Sequence, residues 1–182
     1  MVAAAIAFSV DGARTATTLL SHNLSVREQY VVERHAYTDL SEIGLPAFVP
    51  LPIRIDVLQE QRLLRGDRVI WTGGAELDVL RRRFHVSPNG ATVVVEAKGF
   101  MKPWQLVDTA SGRALIVSAP DIEGHAYVYP LVFERWLPDS SAAVAKAEGS
   151  FIRGSGVIEF HEVWLVDAAT GAPRRLEHVE ES

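Results

Sequence analysis

Three glutamates in stretches of alternating polar and apolar residues are the side chains best placed for proton transfer. Glu76 follows a pair of glycines, Glu96 stands among valines, and Glu159 shares one face of a late predicted strand with His161. A carboxyl group in an apolar cavity has a raised pKa, so it can donate or accept a proton near neutral pH. The alternative is that each glutamate points to solvent from a sheet with one wet face.

Aromatic residues are spread over the middle and late parts of the chain, where they could form the wall of an apolar pocket. Large rings with one polar group orient a ligand in such a pocket, although rings equally fill ordinary cores. Tyr127, Tyr129 and Phe133 alternate onto one face of a predicted strand, and we expect this face to line the interior. Trp136 and Trp164 are then expected on the opposite sides of their strands.

Other common chemistries find little support in the residue pattern. The six histidines include no closely spaced pair that would suggest a metal site, so no metal ligand is predicted. The chain has no cysteine, which excludes disulfides and thiolate chemistry. Ser155 lies between two glycines but lacks the following helix that a serine nucleophile needs. Phosphate-binding loops and dinucleotide fingerprints are absent, and no cofactor is expected.

Composition and charge limit the classes of partner that we expect this protein to have. A chain of 182 residues with 48 % hydrophobic residues fits one globular domain spanning residues 1–182. The net charge of −5 argues against nucleic acid. The apolar start of the chain is too short to cross a membrane and has no basic residue before it, so no membrane partner is expected. Absence of cysteine suits the cytoplasm.

Strand-like alternation continues from Val26 to Val166 and predicts an all-β fold. Residues 91–100 show it most clearly, with Thr92, Val94 and Glu96 on one face and valines on the other. About ten or eleven strands are expected, forming an antiparallel β-barrel with an internal cavity. No repeat of fixed period is apparent, which argues against solenoids and propellers.

Several segments receive their own predictions. Asp11-Gly12 predicts a tight hairpin, and the proline-spaced residues 46–52 predict a loop that gates the barrel mouth. The alanine-rich residues 140–147 predict a short helical turn, and residues 167–182 predict a polar C-terminal tail.

Three segments carry a resemblance to a known family. Residues 149–160 contain the pattern glycine-x-aromatic-aliphatic-x-x-small-glycine, and they resemble a late strand of allene-oxide-cyclase-like barrels. Residues 87–100 are similar to a strand of the bacterial spirotetronate cyclases built on that barrel, and residues 66–77 to their small-residue strand. The resemblance implies a small barrel, usually dimeric, that folds a linear hydrophobic polyketide-type substrate for intramolecular Diels–Alder cyclisation without a cofactor.

The resemblance and the aromatic pattern together assign the site residues. Catalytic roles are expected for Glu76, Glu159 and Tyr127. Substrate-binding roles are expected for Trp71, Phe100, Trp104, Tyr129, Phe133 and Phe160, of which Phe160 takes the place of the family's tryptophan. Orienting the reacting groups of such a substrate can lower the barrier by about 7–11 kcal/mol. Two alternatives remain: a lipocalin-like carrier without turnover, and a solid β-sandwich that serves as an interaction module.

Overall fold

The protein is built from β-strands alone in the part of the chain that can be described. The computed structural model describes residues 6–37, 53–74, 82–97, 103–117, 131–153 and 156–181. Within these ranges twelve strands and no helix occur, which confirms the all-β class. The strands form three antiparallel sheets of four strands each, and none of these sheets closes on itself.

Each sheet is a meander in which consecutive strands of the chain lie side by side. Sheet 1 contains β1 (Ile6–Leu19), β2 (Leu24–Tyr37), β3 (Ile53–Arg65) and β4 (Arg68–Gly74). Sheet 2 contains β5 (Arg83–Val86), β6 (Thr92–Glu96), β7 (Trp104–Asp108) and β8 (Ala114–Val117). Sheet 3 contains β9 (Val132–Trp136), β10 (Ala142–Arg153), β11 (Gly156–Asp167) and β12 (Pro173–Glu181).

The three sheets are stacked, and sheet 2 is the middle layer. Val93 and Val95 of β6 pack with Leu63 and other residues of sheet 1 in one buried cluster. Val94, on the other face of the same strand, packs with Trp164 and other residues of sheet 3 in a second cluster. Because β6 is covered on both faces, its sequence is a continuous apolar run and not a strict alternation of polar and apolar residues.

Sheets 2 and 3 repeat the same turn structures. The Ser87 N–H donates to the Thr92 carbonyl in the β5–β6 turn, and the Leu137 N–H donates to the Ala142 carbonyl in the β9–β10 turn, both at 2.9 Å. The two hairpins of each sheet are also joined in the same way, since Thr109 N–H donates to the Ala91 carbonyl and Ala168 N–H to the Ser141 carbonyl, again at 2.9 Å. The four-stranded sheet is thus a recurring structural unit, although the spacing between equivalent turn residues is not constant along the chain.

Two expectations about local structure are wrong at the ends of the meanders. The predicted hairpin at Asp11-Gly12 is instead a bulge within the long strand β1, where the register shifts between Val10 and Gly12. A bulge accommodates an extra residue without reversing the chain. The predicted tail residues 173–181 form β12, which pairs with β11. This strand is polar because it is a sheet edge, where charged residues protect unpaired backbone groups.

The predicted helical turn at residues 140–147 is also wrong, because this segment begins β10. Ala143, Ala145 and Ala147 alternate onto the buried face that meets sheet 2. Their small side chains leave room for Trp104 and Trp164 in the same cluster. Alanine favours helices in isolation, but tertiary packing overrides that weak preference here.

Candidate functional site

The two tryptophans predicted to bind substrate lie at the interfaces between sheets. Trp71 of β4 is 7 % exposed, and its Nε1 donates to Gln105 Oε1 of sheet 2 over 2.6 Å. Trp104 of β7 is 2 % exposed, and its Nε1 donates to the Leu131 carbonyl oxygen, which precedes β9, over 2.6 Å. Each indole thus joins neighbouring sheets and has its N–H satisfied within the protein.

Phe133 and Phe160 are also packed, whereas Glu159 faces solvent. Phe133 stacks on His85 with ring centroids 4.0 Å apart. Phe160 is fully buried in β11. Its neighbour Glu159 is exposed, since successive strand residues point to opposite faces. The structure therefore does not bring Glu159 together with the described aromatic residues of the predicted site.

The expectation that Trp136 and Trp164 lie away from Phe133 is wrong. Trp164 belongs to the buried cluster between sheets 2 and 3, and Phe133 and Trp136 both pack against it. The β9–β10 register shifts beside Ala145, and such a bulge restores Trp136 to the face occupied by Phe133.

Four of the predicted site residues fall outside the described ranges. They are Glu76, Phe100, Tyr127 and Tyr129, and the predicted lid at residues 46–52 lies outside as well. Their roles stay predictions.

Each sheet contains a buried glutamate whose oxygens are held by hydrogen bonds. In sheet 1, Glu28 accepts from Tyr30 Oη at 2.6 Å and from Gln61 Nε2 at 2.9 Å. In sheet 3, the Glu162 side chain is completely buried and accepts from Trp164 Nε1 at 2.9 Å. Glu162 also contacts Arg175 Nη1 at 3.1 Å and His178 Nδ1 at 2.6 Å. These bonds compensate the cost of burying a carboxylate.

Glu96 of sheet 2 points inward, but its pKa is lowered and not raised as expected for a carboxyl group in an apolar cavity. Its Oε2 lies 3.0 Å from His85 Nε2, and its Oε1 accepts from the Phe133 N–H at 2.9 Å. Burial favours a higher pKa for Glu96, but the bonds from His85 and Phe133 and the charges of His85 and Arg83 outweigh it and lower this pKa. Glu96 therefore remains ionised at neutral pH and links sheet 2 to β9 of sheet 3.

A cleft of about 710 Å³ opens between sheets 2 and 3 at the end where their hairpin turns lie. We call it the turn-end cleft. Leu106 and Leu115 of sheet 2 contribute its apolar surface, and turn residues of both sheets contribute carboxylate, amide and hydroxyl groups. It is lined by Asn89, Thr92, Leu106, Asp108, Ser111, Arg113, Leu115, Asp139, Ser140, Ser141, Asp167, Ala168 and Ala169.

Three exposed aspartates give the turn-end cleft a negative charge. The Ser111 hydroxyl and N–H each donate to Asp108 Oδ1 at 2.6 Å, and bonds from Ser111 lower the pKa of this carboxyl group. The Ser141 N–H and hydroxyl do the same for Asp139, and the Thr170 hydroxyl and N–H for Asp167. All three carboxylates are thus ionised at neutral pH, against the single cation Arg113 among the lining residues.

The turn-end cleft was missed in the sequence because most of its polar groups lie in turns and at strand ends, where strand alternation gives no signal. A usable signal was nevertheless present. Residues 108–112 and 167–171 share an aspartate at the start, a hydroxyl residue at the fourth position and a glycine at the fifth. In both turns the aspartate accepts from the hydroxyl residue and the glycine has a positive φ, 78° at Gly112 and 71° at Gly171.

The described ranges include no group of three or more histidine, aspartate or glutamate side chains arranged to hold a metal ion. Nor do they include a helix that could cross a membrane. Comparison of the chain with known protein families, with curated proteins and with solved structures gave no match.

Proposed function

We propose that this protein binds a ligand with a cationic amino or guanidinium group in the turn-end cleft and releases it chemically unchanged. The observation that carries the proposal is the convergence of Asp108, Asp139 and Asp167, from three different turns, on one cleft with a single arginine. Each carboxylate can accept about four hydrogen bonds. The turn bonds therefore leave acceptor capacity on every one of them for a ligand.

Hydrogen bonds within the turns hold these carboxylates in fixed positions, and this supports ligand binding. Asp139 Oδ1 accepts from Ser141 N and Oγ at 3.0 and 2.8 Å, and Asp167 Oδ1 accepts from Ala169 and Thr170. Groups that are already fixed lose little conformational freedom when a ligand arrives, which favours affinity. The aliphatic side chains of Leu106 and Leu115 can pack against the methylene groups that carry the cation.

The protonation state of the aspartates supports binding without catalysis. An efficient general acid or base has a pKa close to the working pH, whereas the pKa values of these carboxyl groups are lowered. Ser111 and Ser141 donate to these weakly basic carboxylates. A serine nucleophile needs a stronger base beside it.

The cyclase and its barrel cavity stay predictions from the family resemblance. None of the described residues predicted for that site, Trp71, Trp104, Phe133, Phe160 and Glu159, lines the turn-end cleft. The proposed binding function is closer to the carrier alternative, with a polar cleft at the turns as its site.

A charge-removing variant tests the proposal without disturbing the turns. In the triple variant D108N/D139N/D167N, each side-chain amide oxygen can still accept the turn hydrogen bonds, but three negative charges are lost. We expect spermidine, titrated by calorimetry at low salt, to bind the triple variant at least about tenfold more weakly than the wild type, since each nearby charge contributes about 1 kcal/mol even in water. Added sodium chloride should weaken wild-type binding.

Asp67→Asn is the matched control, because Asp67 is an exposed aspartate in the β3–β4 turn of sheet 1 and does not line the cleft. This variant should bind spermidine as the wild type does. Equal affinity of the triple variant and the wild type, or no binding by the wild type, would overturn the proposed function.

A further inference from the structure

The turns at residues 108–112 of sheet 2 and 167–171 of sheet 3 have the same backbone hydrogen bonds. In each turn the N–H of the fifth residue, a glycine, donates to the carbonyl oxygen of the first, an aspartate, at 2.8 Å in sheet 2 and 2.9 Å in sheet 3. The N–H of the second residue donates in both cases to the first hairpin turn of the same sheet. The second and third positions therefore correspond, Thr109 to Ala168 and Ala110 to Ala169.

At the interface between sheets 1 and 2, an arginine side chain binds the carbonyl oxygens of such a turn. Arg68 Nη2 donates to the Ala110 carbonyl oxygen and, over 3.3 Å, to that of Thr109. Arg65 Nη1 lies 3.3 Å from the Thr109 hydroxyl oxygen. Carbonyl oxygens have two lone pairs each and are acceptors for guanidinium donors. The molecule thus contains one turn of this kind with a guanidinium group bound to it.

Asp108 and Arg113 occupy in sheet 2 the positions that Arg65 and Arg68 occupy in sheet 1. Arg65 pairs with Arg68 across β3 and β4, and the Asp108 N–H donates to the Arg113 carbonyl at 2.9 Å across the β7–β8 turn. Both pairs stand on the strand face that the next sheet covers, because the leucines two residues before Arg65 and Asp108 belong to the clusters shared with the next sheet. One arginine of the first interface is therefore an aspartate at the second.

In sheet 3 the equivalent carbonyl oxygens belong to residues that line the turn-end cleft. Ala168 and Ala169 line it together with Asp108 and Arg113. Within the described ranges, neither carbonyl oxygen accepts a hydrogen bond, and Arg113 does not bind them as Arg68 binds the preceding turn. The cleft therefore contains the two acceptors that hold a guanidinium group at the first interface, with a carboxylate beside them in place of the second arginine.

We propose that the ligand of the turn-end cleft carries a guanidinium group, which donates to the Ala168 and Ala169 carbonyl oxygens as Arg68 donates to the preceding turn. This inference rests on the proposed function and names the class of its ligand. A guanidinium group has five N–H donors in a rigid planar fork, so it can serve both carbonyl oxygens and the Asp108 carboxylate. A primary ammonium group has three donors on a single nitrogen and reaches fewer of these acceptors.

Paired titrations measure the preference for guanidinium. Agmatine and cadaverine are dications of similar length, and only agmatine has a guanidinium group. We expect the wild type to bind agmatine at least about tenfold more tightly than cadaverine in calorimetry at low salt, since the planar fork makes more charge-assisted hydrogen bonds. In D108N/D139N/D167N both ligands should bind more weakly, and agmatine should still be preferred because the two carbonyl oxygens are unchanged. Equal wild-type affinities, or loss of the preference in the triple variant, would overturn the inference.

The chemical shifts of backbone carbonyl carbons locate the bound guanidinium group. Saturating agmatine should move the carbonyl resonances of Ala168 and Ala169, because a new hydrogen bond deshields a carbonyl carbon. The carbonyl resonances of Thr109 and Ala110, which Arg68 already binds, are the matched control and should not move. In a folded Arg68→Ala variant this second pair loses its donor, so agmatine should then move its resonances too. Agmatine that binds without moving the Ala168 and Ala169 resonances would overturn the inference.

The inference and the proposed function fail in different ways. If spermidine binds the wild type and is lost in the triple variant, but agmatine is not preferred over cadaverine, the proposed function stands and the inference falls. If agmatine moves the Ala168 and Ala169 resonances but binds the triple variant as tightly as the wild type, the inference stands and the role of the three carboxylates falls. Absence of binding by all three ligands would overturn both.

Discussion

Glu96 shows how a buried carboxyl group stays ionised in this fold. Its side chain is 10 % exposed, and its two oxygens contact His85 and the Phe133 N–H. These contacts join β5 and β6 of sheet 2 to β9 of sheet 3. Glu28 and Glu162 are likewise buried, and their described hydrogen-bond partners lie within sheet 1 and sheet 3 respectively. The aspartates of the turn-end cleft, in contrast, are exposed to a ligand.

Glu96→Gln should make stability less dependent on pH in the acid range. Because the pKa of Glu96 is lowered in the folded state, its stabilising effect is present above the ordinary value of 4.5 and is lost as the pH falls further. At pH 7 we expect the variant to lose about 1.5–3 kcal/mol of unfolding free energy, the contribution of a hydrogen bond to a charged group. The difference between the two proteins, measured by urea unfolding, should shrink below pH 4.5.

Asp67→Asn removes an exposed carboxylate and should follow the wild type through the same pH series. A difference between wild type and Glu96→Gln that stays constant from pH 7 down to pH 3 would contradict the role assigned to Glu96.

At the level of the turns, Gly112 and Gly171 occupy the same position in consecutive sheets but have different surroundings. Both have a positive φ, which disfavours any residue with a Cβ. A Cβ at Gly112 would lie 2.8 Å from the Ile70 carbonyl oxygen, whereas one at Gly171 would make ordinary contacts of 3.5 Å or more with Val117, Leu106 and Leu115. Of these two turns, only that of Gly112 closely approaches the backbone of the sheet on which it packs.

Gly112→Ala should therefore destabilise the protein more than Gly171→Ala. In both variants an alanine must adopt a positive φ, which costs about 1–2 kcal/mol. Gly112→Ala also forces sheet 1 and sheet 2 apart, and we expect a further loss of about 1–3 kcal/mol, typical of overpacking. Thermal and urea unfolding of the two variants measure the difference. Equal losses would show that the Gly112 turn can move away from Ile70 at little cost.

Alternation and turn chemistry predicted most strands, because both depend on neighbouring residues. The alternation of residues 91–100, the clearest in the sequence, corresponds to β6 at Thr92–Glu96. The sequence predictions were wrong where contacts between residues far apart in the chain determine the local structure. The alanines of β10 become a strand because sheet 2 covers them, and the charged β12 becomes a strand because β11 offers it a partner.

The candidate site was less predictable than the strands. Asp108, Asp139 and Asp167 come from three turns that are far apart in sequence. Only the stacking of sheets 2 and 3 brings them together, and no pattern along the chain encodes that stacking. The aromatic residues were recognised as apolar and inward, but the sequence could not distinguish a packed interface from the wall of a cavity.

For the molecule as a whole, sheet 2 is the part best protected from solvent. Val93, Val94 and Val95 are at most 2 % exposed, and Val107 and Leu106 on the neighbouring strand are equally buried. One face of this sheet packs on sheet 1 and the other on sheet 3. Opening it requires both interfaces to separate.

Amide hydrogen exchange should therefore be slowest in β6 and β7. Exchange in buried core strands requires the largest unfolding events, whereas sheet edges open locally. We expect protection factors at Val94 and Leu106 to exceed those at Arg175 and Glu177 of the edge strand β12 by at least about a hundredfold. Mass spectrometry or NMR measures these rates. Comparable protection in β12 and β6 would contradict the expectation that the middle sheet unfolds last.

The meander has a consequence for how the chain acquires its structure. Every described strand pairs only with a strand next to it in sequence, so each sheet is finished before residues of the next are needed. Such local pairing shortens the loops that must close and favours rapid folding. During synthesis, sheet 1 can assemble first and then act as a template on which sheet 2, and afterwards sheet 3, is laid down. Duplication or loss of one such unit in a gene would leave every remaining ladder intact.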